Sequence, residues 1–194
     1  MSSQNRTQAQ RRAETYRQVL DSACRLFGEQ GYSSTSLEDI AGDCGLTTRP
    51  IYHYFGNKKA LFSAVNDVMI QRIIDSLKID AGDSINTRFG TNWRIFLDLC
   101  DDPYFRQIVL IDSPNVLGRE IWKKGRVTLR AYAFLTESDT DDASELFRKK
   151  LVGRMVIGAL TEAALMVAEA DDMEVAKAQA IQVVERLLSK IVGR

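Results

Sequence analysis

The chain has 194 residues, 45% of them hydrophobic and 27% charged, and its 26 basic and 26 acidic side chains cancel to a formal net charge of zero. That length and apolar share allow a sizeable core without a disulfide staple, and the balanced charge provides no general attraction to nucleic acid or an acidic surface. Any such partner must be met by a local patch.

One candidate patch opens the chain, where Arg6, Arg11, Arg12 and Arg17 stand against Glu14 alone within the first 17 residues. A basic arm ahead of a structured region can contact phosphates, although a solvated, unstructured start explains the same composition. Cys24, Cys44 and Cys100 are odd in number, widely spaced and without a CxxC pair, which fits buried thiols in a reducing cytoplasm better than a redox switch. The start is polar and lacks the apolar stretch of a signal peptide. The most apolar run, Val156 to Val167, is interrupted by Thr161 and Glu162, so no membrane span and no membrane partner are expected.

Helical periodicity begins near Arg11, with Val19, Ala23, Leu26 and Phe27 forming one buried face and Gly31 supplying the stop. A second, short helix follows, capped either by Thr35 with Glu38 or by Ser36 with Asp39, with Leu37, Ile40 and Ala41 inward. Gly42-Asp43-Cys44-Gly45 makes a turn, Leu46 points inward, and Thr47 caps a third helix. Pro50 falls in that helix's first turn, where a missing N–H costs nothing. Ile51 and Phe55 give its apolar face. Asn57 then caps a fourth helix from Lys58 towards Leu77. Beyond it the pattern stays helical, near 84–100, 103–112, 118–137, 143–170 and 173–192. Breaks are expected at Asp101-Asp102-Pro103, Ser113-Pro114-Asn115, Ser138 to Asp142, and Asp171-Asp172. The predicted fold is all-α, with no strand, repeat or low-complexity stretch.

The short second and third helices, joined by a glycine-containing turn, make a helix-turn-helix. Burial of Leu37, Ile40, Leu46, Ile51 and Phe55 fixes their crossing, which leaves Thr47, Thr48, Arg49, Tyr52 and His53 outward on a helix sized for the DNA major groove. An arginine at position 49 can pair bidentately with guanine, and threonine methyls can meet thymine methyls. Lys58, at the positive end of the fourth helix, is placed for a phosphate.

Residues 15–62 resemble the TetR-family DNA-binding domain. The resemblance rests on Leu20 through Phe27, Gly31-Tyr32, Thr35-Ser36-Leu37, Ile40-Ala41, Gly45-Leu46-Thr47 and the run from Ile51 to Leu61, in that order and spacing. It implies that Thr47 and Thr48 open the recognition helix and that Tyr52 and His53 contact backbone or bases. It also implies that Tyr54 and Lys58 approach phosphates and that Thr35 touches one from the start of the second helix. Arg49 and Pro50 depart from the small or polar residues frequent there, so the operator sequence cannot be taken from a relative.

The same resemblance implies a DNA-binding domain over 11–62 and an effector-binding, dimerising domain over 63–194. The expected activity is a repressor that leaves an inverted-repeat operator in double-stranded DNA when a small molecule binds. The last two helices are expected to form the homodimer. Ala178, Ile181, Val184 or Glu185, Leu188 and Ile191 make one stripe, and Leu151, Met155, Gly158-Ala159 and Glu162-Ala163 the other. An apolar pocket is expected from Trp93, Phe96, Leu97, Tyr104, Ile108, Ile111, Trp122, Leu129, Tyr132 and Met155. Asp112 either caps a helix or receives a ligand hydroxyl or amine. Bound ligand is expected to move the fourth helix and so change the separation of the two reading heads. His53 is the lone histidine and there is no phosphate-binding glycine loop, so no enzyme, cofactor or metal is expected. The rival reading is a helical interaction protein without an operator.

Overall fold

The computed structural model describes residues 7–76, 85–118 and 142–191, and every regular element among them is helical. Helix α1 spans Gln8–Ser34 and begins a turn earlier than the apolar pattern predicts. Its start is fixed by a reciprocal cap: the Gln10 N–H donates to the Thr7 hydroxyl at 3.2 Å, and the Thr7 N–H to the Gln10 carboxamide oxygen at 2.8 Å. Near the other end Gly31 takes φ 78° and ψ 164°, a left-handed break that only glycine accepts without strain. The Thr35 hydroxyl closes this break by donating to the carbonyls of Gly31 (2.9 Å) and Leu26 (3.2 Å).

Helix α2 (Leu37–Asp43) is capped by Ser36 with Asp39, the second of the two predicted boxes. After the turn, in which the Leu46 N–H returns to the Ala41 carbonyl at 2.8 Å, α3 runs Thr48–Phe55 with Thr47 as N-cap. Asn57 caps α4 (Lys58–Ser76) as predicted, its side-chain oxygen accepting the Ala60 N–H at 2.8 Å.

Helix α5 spans Ile85–Leu99. Asp102 then starts α6 (Pro103–Phe105), which passes without interruption into a π-helical stretch, Arg106–Asp112, and on into α7 (Ser113–Val116). The predicted break at Ser113-Pro114-Asn115 is therefore wrong. Pro114 cannot donate to the Leu110 carbonyl and its ring would collide there, and the widened register, with the Ser113 N–H bonded to Ile108, relieves the conflict while the helix continues. The helix predicted near 118–137 lies, apart from Gly118, outside the described residues. Helices α8 (Ala143–Ala168) and α9 (Met173–Ile191) complete the described fold.

A single buried cluster links the two halves. It contains Val19, Ala23, Phe27, Ile40, Ile51 and Phe62 at the N-terminal end and continues through Ile73, Leu97, Phe105 and Ile108 to Val156, Val184 and Leu188. Phe27, Tyr32 and Phe62 meet ring to ring at 5.0–5.8 Å where α1 and α4 cross, and the fully buried Phe27 and Phe62 each contribute about 1.5–3 kcal/mol.

One expectation about packing needs correction. Val184 and Leu188, assigned to a dimer stripe, are buried against the monomer's own core, while Val175, Val183 and Leu187 face outward. Among the described residues α8 alone is long and apolar enough, by length and composition only, to cross a membrane, a property that core helices of soluble proteins share.

Candidate nucleic-acid interface

Helix α3 divides its residues by the 100° step of an α-helix. Ile51 is fully buried and Phe55 packs against the core, which pins one side of the helix. Arg49, Tyr52 and His53 project on the opposite arc, with Tyr52 52% exposed, and Thr48 is half-buried at its edge. Thr47 caps through its backbone alone, so its exposed hydroxyl makes no cap hydrogen bond. These are the groups predicted to face a groove, and the structure brings them together on one convex surface. Tyr54 is half-buried and lies against His53 and Tyr16 at 5.1 and 5.8 Å. Thr35 departs from expectation: it is 1% exposed, with its hydroxyl committed to Gly31 and Leu26, so its side chain is not offered to a phosphate.

Lys58 begins α4, and its ammonium lies 4.2 Å above the centre of the Tyr32 ring. Tyr32 in turn holds the head to the rest of the chain. Its backbone N–H donates to Asp112 Oδ2 at 2.8 Å, and Gln107 Nε2 donates to the same oxygen at 3.1 Å. Asp112 makes no side-chain cap on α7, the helix it precedes, and its carboxylate is instead engaged by the N–H that follows the Gly31 break.

A few residues earlier on α1, Gly28 faces Tyr104 so closely that an added Cβ would stand 2.5 Å from the ring. The Tyr104 hydroxyl reaches Glu29 at 2.6 Å, and that carboxylate holds the phenol above its ordinary pKa. Arg72 of α4 pairs with Asp102 at 2.8 Å. Burial pushes the Asp102 carboxyl up, but the Arg72 hydrogen bond and the N–H groups of Tyr104 and Phe105 outweigh it and leave the group below the usual range. Residues 102–112 therefore form a seat under α1 and α4.

The N-terminal residues 19–65 match the family model for bacterial regulatory proteins of the tetR family, and residues 87–191 match the tetracyclin repressor-like C-terminal domain, more than half of the chain. The chain belongs to the tetR family.

Among relatives in this family, the HTH-type transcriptional regulator AcrR of Shigella flexneri is 50% identical over 52 residues, 27% of this chain and 24% of that protein. The negative regulator of the biofilm operon in Staphylococcus epidermidis, IcaR, is 27% identical over 106 residues, 53% of this chain and 57% of its own length. These curated relatives are thus matched over less than two thirds of their length. A TetR-family regulator from Pectobacterium atrosepticum superposes with a TM-score of 0.71 at 26% identity, over 97% of this chain and 99% of that one.

The TetR-type second domain is partly visible in the described residues. Trp93, Leu97 and Ile108 are buried, and Phe96 lies 6.0 Å from Trp93 and 6.1 Å from Phe105, so four of the predicted pocket residues pack in one region of the core. Ile111 is half-buried beside it. The Trp93 indole N–H is 4% exposed as a residue and has no hydrogen-bond partner among the described residues. Tyr104 and Asp112 belong to the seat and not to that cluster. Met155 is a correction: at 61% exposure it points away from the middle helices, because Val156 takes the inward position on α8. Trp122, Leu129 and Tyr132 lie outside the described residues. Cys100 is buried, which pushes its thiol up to about 12, and burial also raises Cys24 and Cys44.

Sequence reasoning missed Gly28, Glu29 and Gln107, and it used Tyr32 for the resemblance without giving it a role. No local signal marks them, since their partners are distant in sequence.

Proposed function

We propose that the chain is a sequence-specific, cytoplasmic transcriptional repressor that binds an inverted-repeat operator as a homodimer and leaves it when a small molecule enters the C-terminal domain. The observation that carries this is the outward arc of α3. Thr48, Arg49, Tyr52 and His53 stand exposed or half-exposed on a helix whose other side is anchored by Ile51, which is how a recognition helix meets base edges. The role assigned to this surface is binding, with no catalytic step.

Dimerisation follows from what two heads require, namely recognition helices about one turn of DNA apart, roughly 34–36 Å. The surface assigned to it is the outer face of α8 and α9. Phe147, Leu151, Met155 and Gly158 fall on one side of α8 at three- and four-residue steps, followed one turn on by the exposed carboxylate of Glu162 and then by Met166, while α9 exposes Val175, Val183 and Leu187. A second copy supplies the cover such an apolar face needs and accounts for a helix apolar enough for a membrane. Effector binding is assigned to the cluster around Trp93, whose unpartnered indole N–H favours a ligand with a hydrogen-bond acceptor. Release works as a population shift: ligand favours a seat that no longer holds α1 and α4 at the DNA-competent spacing, with a coupling of about 1–3 kcal/mol.

The test is selection of genomic fragments by the purified protein, followed by footprinting of the tightest one. A protected inverted repeat bound by an even number of chains is the expected result. Binding of every fragment no better than bulk DNA at low salt, both without and with the host's metabolite extract, would overturn the reading. Arg49→Ala should relax base preference, and Lys58→Ala should weaken all sequences alike and lower the salt slope by about one.

A further inference from the structure

The first turns of α1 carry a surface that the recognition helix does not account for. The stripe that buries Val19, Ala23 and Phe27 continues towards the N-terminus through Tyr16, Arg12 and Gln8, at four-residue steps that keep one face. Beyond Tyr16 this face is exposed at Arg12 and Gln8, and polar groups replace apolar ones. The segment is nonetheless helical from Gln8, held by the Thr7–Gln10 box and by the Arg11 N–H to the Thr7 carbonyl at 3.1 Å. Its position is fixed relative to α3, because the Tyr16 ring stacks on Phe55 at 4.9 Å and meets Tyr54 edge-on at 5.8 Å. Arg12 lies one turn beyond that contact, on the side of α1 that faces α3. From Tyr16 to Gln8 the helix extends about 12 Å past the head, on the order of three base pairs if it follows the duplex.

We propose that this extension of α1 is a second DNA-contacting surface, in which Arg12 pairs with the phosphate backbone flanking the half-site read by α3. The proposal rests on the DNA-binding reading above and adds to it a contact outside the recognition element. The partner is argued from charge and continuity. Residues 7–17 carry Arg11, Arg12 and Arg17 against Glu14, and Arg12 is exposed one turn beyond Tyr16, whose ring meets the half-buried Tyr54 and Phe55 at the C-terminal end of α3. Arg17 sits about 140° around the helix from Arg12 and so faces away from that path. The contact positions the head without reading sequence.

The experiment uses the full-length protein with two duplexes, the selected operator with about ten flanking base pairs on each side and the same operator trimmed to its inverted repeat. Affinity is measured across a salt series for wild type, Arg12→Ala, Arg12→Lys, Arg17→Ala and Arg49→Ala. On the flanked duplex Arg12→Ala should lose about threefold to tenfold at low salt and reduce the salt slope by about 0.9 per half-site. On the trimmed duplex it should match wild type. Arg12→Lys should recover most of the loss, and Arg17→Ala should lose less than Arg12→Ala. Arg12 is exposed and alanine is a good helix former, so the variant keeps its fold, which the far-ultraviolet spectrum checks. The proposal is overturned if Arg12→Ala and Arg17→Ala behave alike, or if trimming changes nothing, while Arg49→Ala still loses base preference. If wild type binds no duplex, the DNA-binding reading fails and this surface fails with it.

Discussion

The carboxylate of Asp112 accepts the backbone N–H of Tyr32 at 2.8 Å, joining residues 80 positions apart. The same Tyr32 carries Lys58 above its ring, so a carboxylate in the C-terminal domain is two contacts from the lysine that begins α4. Removing this acceptor should leave a part-buried N–H unpaired, at a cost of about 1–3 kcal/mol. Asp112→Ala should therefore lower the urea midpoint and change operator affinity without effector, while Asp112→Asn, which keeps an acceptor oxygen, should retain most of both. Equal behaviour of the two variants would separate the head's position from this bond.

The close approach of Gly28 to Tyr104 gives a second test of the same seat. A methyl at position 28 meets the ring at 2.5 Å, so Gly28→Ala should destabilise by about 1–3 kcal/mol through overpacking. Adding Tyr104→Ala should recover part of that loss although it removes the hydroxyl bond to Glu29. A double-mutant cycle by chemical denaturation reads the coupling, and simple additivity would show that α1 moves aside instead.

Acid should loosen the seat. Asp102 has a folded-state pKa below its unfolded value, so its contribution is fully present above the unfolded value, near 4, and is lost as pH falls through the folded one. Asp102→Asn should flatten the decline in stability as pH falls below about 5, at the expense of a lower plateau at neutral pH. Parallel pH profiles for the two proteins would remove Asp102 from the account.

Charge on the outer face of α8 should split the assembly. Met155→Glu is exposed in the single chain and should leave its fold intact, yet it places a carboxylate within the proposed apolar interface. Light scattering should show a single-chain mass, with operator affinity falling together with it. Val184→Glu, buried in the monomer, should instead unfold the chain, which distinguishes the two stripes.

Thiol chemistry should be slow. Burial holds the Cys100 thiol at about 12, so it is protonated at neutral pH and closed to alkylation until the protein unfolds. Native-state modification of Cys100 at pH 7.5, read by mass spectrometry, would show that its helix opens readily.

The head was legible in the sequence because its determinants are local. Ser36 with Asp39, Asn57 ahead of Lys58, and Ile51 with Phe55 each announce a cap or a face within a few residues, and the structure uses all of them. Thr35 misled for another reason. The family resemblance put Thr35 on a phosphate, and only the Gly31 break, which leaves carbonyls to be satisfied, explains why its hydroxyl turns inward. Farther along, Pro114 suggested a break because sequence patterns weigh the ordinary helix against a stop and not against a wider helix. The two apolar stripes of α9 could not be ranked from periodicity, since both have helical spacing. Which one faces α5 is decided by long-range packing and by pairs such as Arg94 with Glu185 and Lys177 with Asp98.

The seat of residues 102–112 has a consequence for engineering. Identity to AcrR of Shigella flexneri is confined to 52 residues, whereas Tyr104, Gln107 and Asp112 lie beyond the N-terminal family match that ends at residue 65. A reading head exchanged at residue 65 keeps its own groove-facing helix but inherits a foreign cradle. Whether the chimera still answers to its effector then depends on a glycine at 28, an N–H at 32 and their counterparts forty residues downstream of the splice, and not on the junction sequence that a designer would choose by alignment.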